Sequence, residues 1–200
     1  MAETKQDIWN QAIEALEGGA HSVLELHCRA YLEHEPENFP ARMLLAHAQL
    51  KMKRFCAASE ILEGADPIDE RSLVLWHRTA GDYYSERGDY EAAQDEYASA
   101  LALVDHQTSD LVLDLVDAMI AQGDNENAVE AIDTFVDRQA REVELEDLEL
   151  LIHARARALR NLGRYDEAAK AVGDALERSS AGFPAAEALA QELEQLRSLG

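Results

Sequence analysis

The sequence has few helix-breaking residues and no long apolar run. Only 4 of its 200 residues are proline and 10 are glycine, and alanine, leucine and glutamate recur throughout. That balance favours helix. No apolar run approaches the roughly 20 residues that a membrane span requires, and residues 1–7 lack the basic and apolar regions of a signal peptide. We therefore expect a helical protein located in the cytoplasm.

Cysteine is scarce as well. Cys28 and Cys56 are the only two cysteines. Each lies among apolar residues of a predicted helix, where cysteine usually acts as a small buried hydrophobic residue. We expect both thiols to be free and buried.

Basic residues are few compared with acidic ones. The chain has 40 acidic and 18 basic residues, for a net charge of −22. A field of that sign repels nucleic acid phosphates and anionic membranes, so neither is an expected partner. It would attract a basic protein. Acidity that serves only solubility, or that reflects a salt-adapted source, explains the composition equally well.

The motifs of the common enzyme classes are missing. The sequence has no nucleophile elbow, zinc-protease motif, phosphate-binding loop or dinucleotide-binding glycine motif. His27 and His34 share a helical face, but two helical turns separate them by roughly 10 Å, too far for one metal ion. We therefore expect no enzymatic activity, no metal and no cofactor.

An internal repeat dominates what is present. Four equivalent turn positions follow helical stretches at spacings of 35, 35 and 40 residues. Glycine at three of them suits a helix end with positive φ. An alanine follows five residues later, where two helices of a hairpin must approach closely. The turn positions are Lys53, Gly88, Gly123 and Gly163, and the alanines in the three glycine copies are Ala93, Ala128 and Ala168.

Two copies of this repeat carry a recognisable pattern. The first consists of Gly81, Tyr84, Gly88, Tyr90, Ala93, Tyr97 and Ala100. The second consists of Ala156, Leu159, Gly163, Tyr165, Ala168, Val172 and Ala175. Both resemble the tetratricopeptide repeat (TPR), a helix hairpin of 34 residues. The copy around Gly123 departs from the pattern, with Asn125 in place of the tyrosine and Phe135 in place of the last alanine.

The resemblance implies an all-α fold, a right-handed α-solenoid of about five helix hairpins with a capping helix. We predict one repeat domain over residues 1–200. Its repeats cover about 5–38, 39–72, 74–107, 109–142 and 149–182, and the capping helix covers 184–199. The 40-residue spacing places about five inserted residues in the acidic stretch 141–147.

The resemblance also implies a binding groove, which the first helix of each repeat lines. The residues that it places there are Met43, His47, Arg78, Asp82, Glu86, Leu113, Asp117, Ile120, His153, Arg157 and Arg160. Met43, Leu113 and Ile120 would be apolar anchors, and Arg78 and Arg157 would orient the ligand. Alternatively, the arginines pair with acidic residues inside the groove.

Two functions are compatible with these features. In the first, the protein is an interaction scaffold or adaptor, and its concave groove binds a peptide or helix of a protein partner. In the second, it is an acidic inhibitor, immunity or escort protein that neutralises a basic protein through its outer surface. Association of two copies through the ends of the array, to form a homodimer, also remains open.

Overall fold

A computed structural model describes residues 4–104, 108–139 and 145–178, and four separate residues near the C-terminus, 191, 194, 195 and 198. All regular secondary structure in these residues is helical. The predicted capping helix 184–199 lies almost wholly outside the described residues, as do residues 141–144 of the predicted insertion.

Ten helices follow one another within the described part of the chain. They are α1 (Lys5–Glu17), α2 (His21–His34), α3 (Phe39–Lys51), α4 (Phe55–Glu63), α5 (Glu70–Glu86), α6 (Tyr90–Ala102), α7 (Ser109–Gln122), α8 (Asn125–Gln139), α9 (Leu145–Asn161) and α10 (Tyr165–Arg178). The chain divides into two compact units, residues 1–104 with the first three hairpins and residues 105–200 with the last two. The prediction of one domain over residues 1–200 stays a prediction.

Packing inside each unit follows the order of the chain. The two helices of every hairpin pack against each other, from α1 with α2 to α9 with α10. Neighbouring hairpins pack through the second helix of one against the first helix of the next, α2 against α3, α4 against α5 and α8 against α9. First helices also pack against each other, α3 against α5 in one unit and α7 against α9 in the other.

The four predicted turn residues adopt positive φ angles in the structure. Gly88, Gly123 and Gly163 have φ values of 79°, 93° and 74°, and Lys53 has φ 59° at the equivalent place. Glycine adopts this left-handed conformation without a steric penalty. Gly19, with φ 64°, turns the chain between α1 and α2. It lies 34 residues before Lys53 and therefore sets the phase of the first repeat.

Side-chain caps start several of the helices. The Asp69 carboxylate accepts a hydrogen bond of 2.7 Å from the Ser72 amide at the start of α5. Asn38 accepts one of 2.9 Å from the Ala41 amide at the start of α3. Such bonds satisfy backbone donors that have no partner within the helix.

Small residues allow the helices of each hairpin to approach closely. The alanines at the predicted contact position are fully buried in four hairpins, as Ala58, Ala93, Ala128 and Ala168. A larger side chain follows each of them one turn later and is also buried; these residues are Leu62, Tyr97, Ile132 and Val172. The core of these four hairpins therefore contains a small residue followed one turn later by a large one.

The two cysteines differ from the expectation. Cys28 is fully buried in a cluster with Ala12 and Leu45, but Cys56 is exposed. The prediction that both are buried is wrong for Cys56, because this residue lies two positions before the buried Ala58. At about 100° per residue, its side chain lies on the opposite face of α4.

One thiol of the native protein is expected to react rapidly with a chromogenic disulfide reagent, and two after denaturation. Burial raises the pKa of the Cys28 thiol to about 11, and only the thiolate is nucleophilic. The release of thiolate dye with time measures both numbers. Cys56→Ser should abolish the rapid phase, whereas two rapid thiols in the wild-type protein would contradict the burial of Cys28.

No helix among the described residues combines the length and the apolar character needed to span a membrane.

Candidate functional site

A cleft of about 350 Å³ lies among the first helices of the first three hairpins, α1, α3 and α5. Its lining residues are Trp9, Leu16, Pro40, Met43, Leu44, His47, Leu75, Arg78, Thr79 and Asp82. All of them belong to the unit of residues 1–104. The cleft therefore lies within that unit, among the first helices of three consecutive hairpins.

The cleft is about two helical turns long. On α3 it extends from Pro40 to His47 and on α5 from Leu75 to Asp82. The two end residues are seven positions apart on each helix, which is about 10 Å along the helix axis. Trp9 of α1 packs against Tyr31 with ring centroids 4.9 Å apart. Leu75 lies on the α5 side and is 37% exposed. The cleft therefore presents apolar side chains to solvent.

Asp82 of α5 contributes a carboxylate to the cleft, and its neighbours fix the position of this side chain. Asp82 accepts a 2.8 Å hydrogen bond from the hydroxyl of Tyr97, which is buried in the α5–α6 hairpin. His47 Nδ1 lies 3.5 Å from the other oxygen of Asp82. The His47 ring in turn contacts His21 edge to face, with centroids 6.1 Å apart. These contacts hold the Asp82 side chain in position.

Glu86 lies one turn beyond Asp82 and has a different role. Its carboxylate forms ion pairs with Lys51, at 2.8 Å, and with Lys53. Hydrogen bonds from these two lysines hold the pKa of Glu86 below its ordinary value. Glu86 thus stays ionised at neutral pH, and its charge joins α5 to the C-terminal end of α3. It does not line the cleft.

Four of the predicted groove residues share this one cleft. Met43, His47, Arg78 and Asp82 all line it, although Met43 is almost fully buried and also packs against Phe39 and Leu62. The sequence analysis missed six lining residues: Trp9, Leu16, Pro40, Leu44, Leu75 and Thr79. The repeat spacing was the signal for one of them, because Trp9 lies 34 residues before Met43, and Met43 lies 35 before Arg78.

Apart from Glu86, the remaining predicted residues lie in the second unit. Leu113, Asp117 and Ile120 belong to α7, and His153, Arg157 and Arg160 belong to α9, which packs against α7. Arg157 forms an ion pair with Asp117 between these two helices. Arg157 therefore follows the second alternative of the sequence analysis, in which the arginine pairs with an acidic residue of the neighbouring repeat. Leu113 and Ile120 are partly exposed.

The histidines and acidic residues of the described segments do not gather into a metal site. No group of three or more histidine, cysteine, aspartate or glutamate side chains is arranged to hold a metal ion in those segments. At the cleft, His47 contacts only one carboxylate, that of Asp82. The side chains of the cleft offer apolar contacts and charge pairing.

Comparison with known proteins agrees with this architecture. The family model of the tetratricopeptide repeat matches residues 151–181, within α9 and α10. A crystal structure of a thermophilic TPR protein of Thermus thermophilus is similar over 96% of this chain and 100% of its own, at 18% identity and a TM-score of 0.70. Residues 151–181 therefore match one tetratricopeptide repeat, and the chain as a whole has the fold of solved TPR proteins.

Other solved TPR structures show the same fold. A TPR protein of Parabacteroides merdae matches 98% of this chain and 72% of its own at 15% identity, with a TM-score of 0.71. A putative kinesin light chain of Podospora anserina, with nearly identical TPR-like repeats, matches 98% of both chains at 16% identity and a TM-score of 0.62. No curated protein matches this chain by sequence.

Proposed function

We propose that this protein is an interaction scaffold of TPR type that binds a segment of a protein partner in the cleft among α1, α3 and α5. Repeat arrays of this kind use extended concave surfaces for binding. The observation that carries the proposal is the apolar cleft itself, in which Leu75 is exposed beside Trp9 and Leu44. Concave apolar surfaces with a few fixed polar groups are typical of binding sites.

The proposed role is non-catalytic. The side chains of the cleft can anchor a ligand through apolar burial and orient it through charge. Trp9 is the largest anchor, and its packing against Tyr31 already restricts its ring before a ligand arrives. Aromatic anchors of this kind carry much of the binding energy in protein interfaces.

Leu75→Arg is expected to weaken binding in the cleft at least about tenfold, equivalent to about 1.4 kcal/mol. The change places a charge where an apolar side chain of the ligand should pack. The measurement uses random peptides displayed on phage and selected on the wild-type protein. Fluorescence anisotropy then compares the affinity of the selected peptides for the wild type and for the variant.

Leu26→Arg is the matched control for this experiment. Leu26 is 63% exposed on α2, a helix that contributes no residue to the cleft. Its replacement makes the same chemical change on another face of the same unit, and the affinity should stay within about twofold. Selected peptides that respond to Leu26→Arg and ignore Leu75→Arg would place the binding site elsewhere.

The net charge of −22 favours a second candidate function. An acidic inhibitor or escort protein would bind a basic partner through its outer surface. Such binding would fall steeply with salt, because surface charge is screened within about 10 Å at 0.1 M ionic strength. It would also survive Leu75→Arg, which separates it from binding in the cleft.

A further inference from the structure

We infer that the cleft takes a basic amphipathic helix of a protein partner, with a lysine or arginine of that helix paired to Asp82. This inference rests on the proposed function and specifies the chemistry of its ligand. It follows from the distribution of apolar and charged groups along the cleft, from the contacts of Asp82 and from the charge of the surrounding unit.

The apolar part of the cleft favours a ligand with large apolar side chains. Trp9, Pro40, Leu44 and Leu75 line it from three different helices. A ligand that buries them must present apolar groups on one face. Burial of this surface contributes about 25 cal/mol for each Å² of apolar area removed from water.

Asp82 lies at the other end of the cleft, and its carboxylate favours a cationic group on the ligand. A carboxylate has about four lone-pair positions. The Tyr97 hydroxyl occupies one at 2.8 Å, and His47 Nδ1 approaches the second oxygen only to 3.5 Å. That distance exceeds a normal hydrogen bond, so this oxygen can accept a shorter bond from a better donor. A lysine or arginine makes the stronger, charge-assisted bond.

The charge of the unit favours the same ligand. Residues 1–104 contain 19 acidic and nine basic residues. Several of the basic side chains already pair with acidic ones, such as Lys51 and Lys53 with Glu86 and Arg54 with Glu25. The remaining field is negative and attracts basic segments.

The spacing of Leu75 and Asp82 on α5 specifies where the cation goes. The distance from Leu75 to Asp82, about two turns or 10 Å, equals the separation of residues i and i+7 in a helical ligand. An apolar residue at i and a lysine or arginine at i+7 would reach both.

Three synthetic peptides test the inference directly. Each is helical and carries leucine at i, i+3 and i+4 on its apolar face, and position i+7 and the polar face are lysine in the first, glutamine in the second and glutamate in the third. Fluorescence anisotropy measures their affinity for the full chain. We expect the lysine peptide to bind most tightly and Asp82→Asn to weaken it about tenfold or more.

Asp95→Asn controls for attraction by overall charge. Asp95 is exposed on α6 and does not line the cleft, and its replacement removes the same charge as Asp82→Asn. The affinity of the lysine peptide should change less than about twofold. Circular dichroism of both variants checks their folding, and the amide oxygen introduced by Asp82→Asn can still accept the Tyr97 hydrogen bond. Leu75→Arg provides a second variant that blocks the same cleft from its apolar end.

The outcomes separate this inference from the proposed function. Equal losses in the Asp82 and Asp95 variants would show diffuse attraction and overturn the inference. Tighter binding of the glutamate peptide would assign recognition to Arg78 and also overturn it. Equal binding of all three peptides, abolished by Leu75→Arg, would overturn the cation at Asp82 and support the proposed function. If none of the three binds, a basic amphipathic helix is the wrong ligand, and the displayed random peptides alone decide the proposed function.

Discussion

Phe135→Ala is expected to lower the free energy of unfolding by about 3–5 kcal/mol, although alanine is the usual residue of the TPR pattern at this position. Phe135 is 2% exposed and is among the largest fully buried side chains of the described residues. Ala100 holds the equivalent place in the third hairpin and is also buried. The helices of the fourth hairpin therefore pack around the Phe135 ring, and removal of this ring leaves a cavity.

Urea denaturation followed by circular dichroism measures this effect. Thr134→Ala is the control, because Thr134 is the exposed neighbour of Phe135 on α8, and its replacement should change the free energy of unfolding by no more than about 0.5 kcal/mol. If Phe135→Ala costs less than about 1 kcal/mol, the helices have closed around the smaller side chain and the pattern residue is adequate there.

Gly81→Ala is expected to destabilise the protein by about 1–3 kcal/mol. A methyl group at Gly81 would lie only 2.5 Å from a ring carbon of Tyr97. Tyr97 is buried and its hydroxyl is bonded to Asp82, so the ring has little freedom to move aside. The overpacking outweighs the gain of up to about 1 kcal/mol that alanine brings over glycine inside a helix.

Gly173→Ala should have the opposite sign and is the matched control. Gly173 lies inside α10, and a methyl group there would meet nothing within 4 Å. Alanine should therefore raise stability by up to about 1 kcal/mol. Thermal unfolding of both variants compares the two signs. A stabilising effect at Gly81 would show that α5 and α6 can separate without cost.

Local backbone chemistry made the fold predictable from the sequence. Glycine at a helix end and alanine at a close contact have direct steric causes, so their spacing located the hairpin turns. Lys53 was aligned with the glycines through spacing alone, and its φ of 59° agrees. Cys56 was misplaced because its apolar neighbours suggested burial, whereas its position on the helix determines its exposure.

The cleft was predictable only in part. Met43, His47, Arg78 and Asp82 follow from the repeat phase. The contribution of α1 depended on recognising Gly19 as the first turn, and Gly18 beside it left two choices. The pairing of Glu86 with Lys51 and Lys53 depends on side-chain reach between repeats, which the spacing of residues along the chain does not specify.

The ion pairs of Glu86 connect the second and third hairpins and are separate from the packing inside either one. In a repeat protein, stability is approximately the sum of the stability of each repeat and the coupling to its neighbours. Glu86 belongs to the coupling, because its lysine partners lie at the end of α3 and in the turn that follows. Unfolding of the third hairpin would leave these lysines without their carboxylate partner. The ion pairs therefore make unfolding of the two hairpins more cooperative, and the cleft that both hairpins line would be lost in the same step.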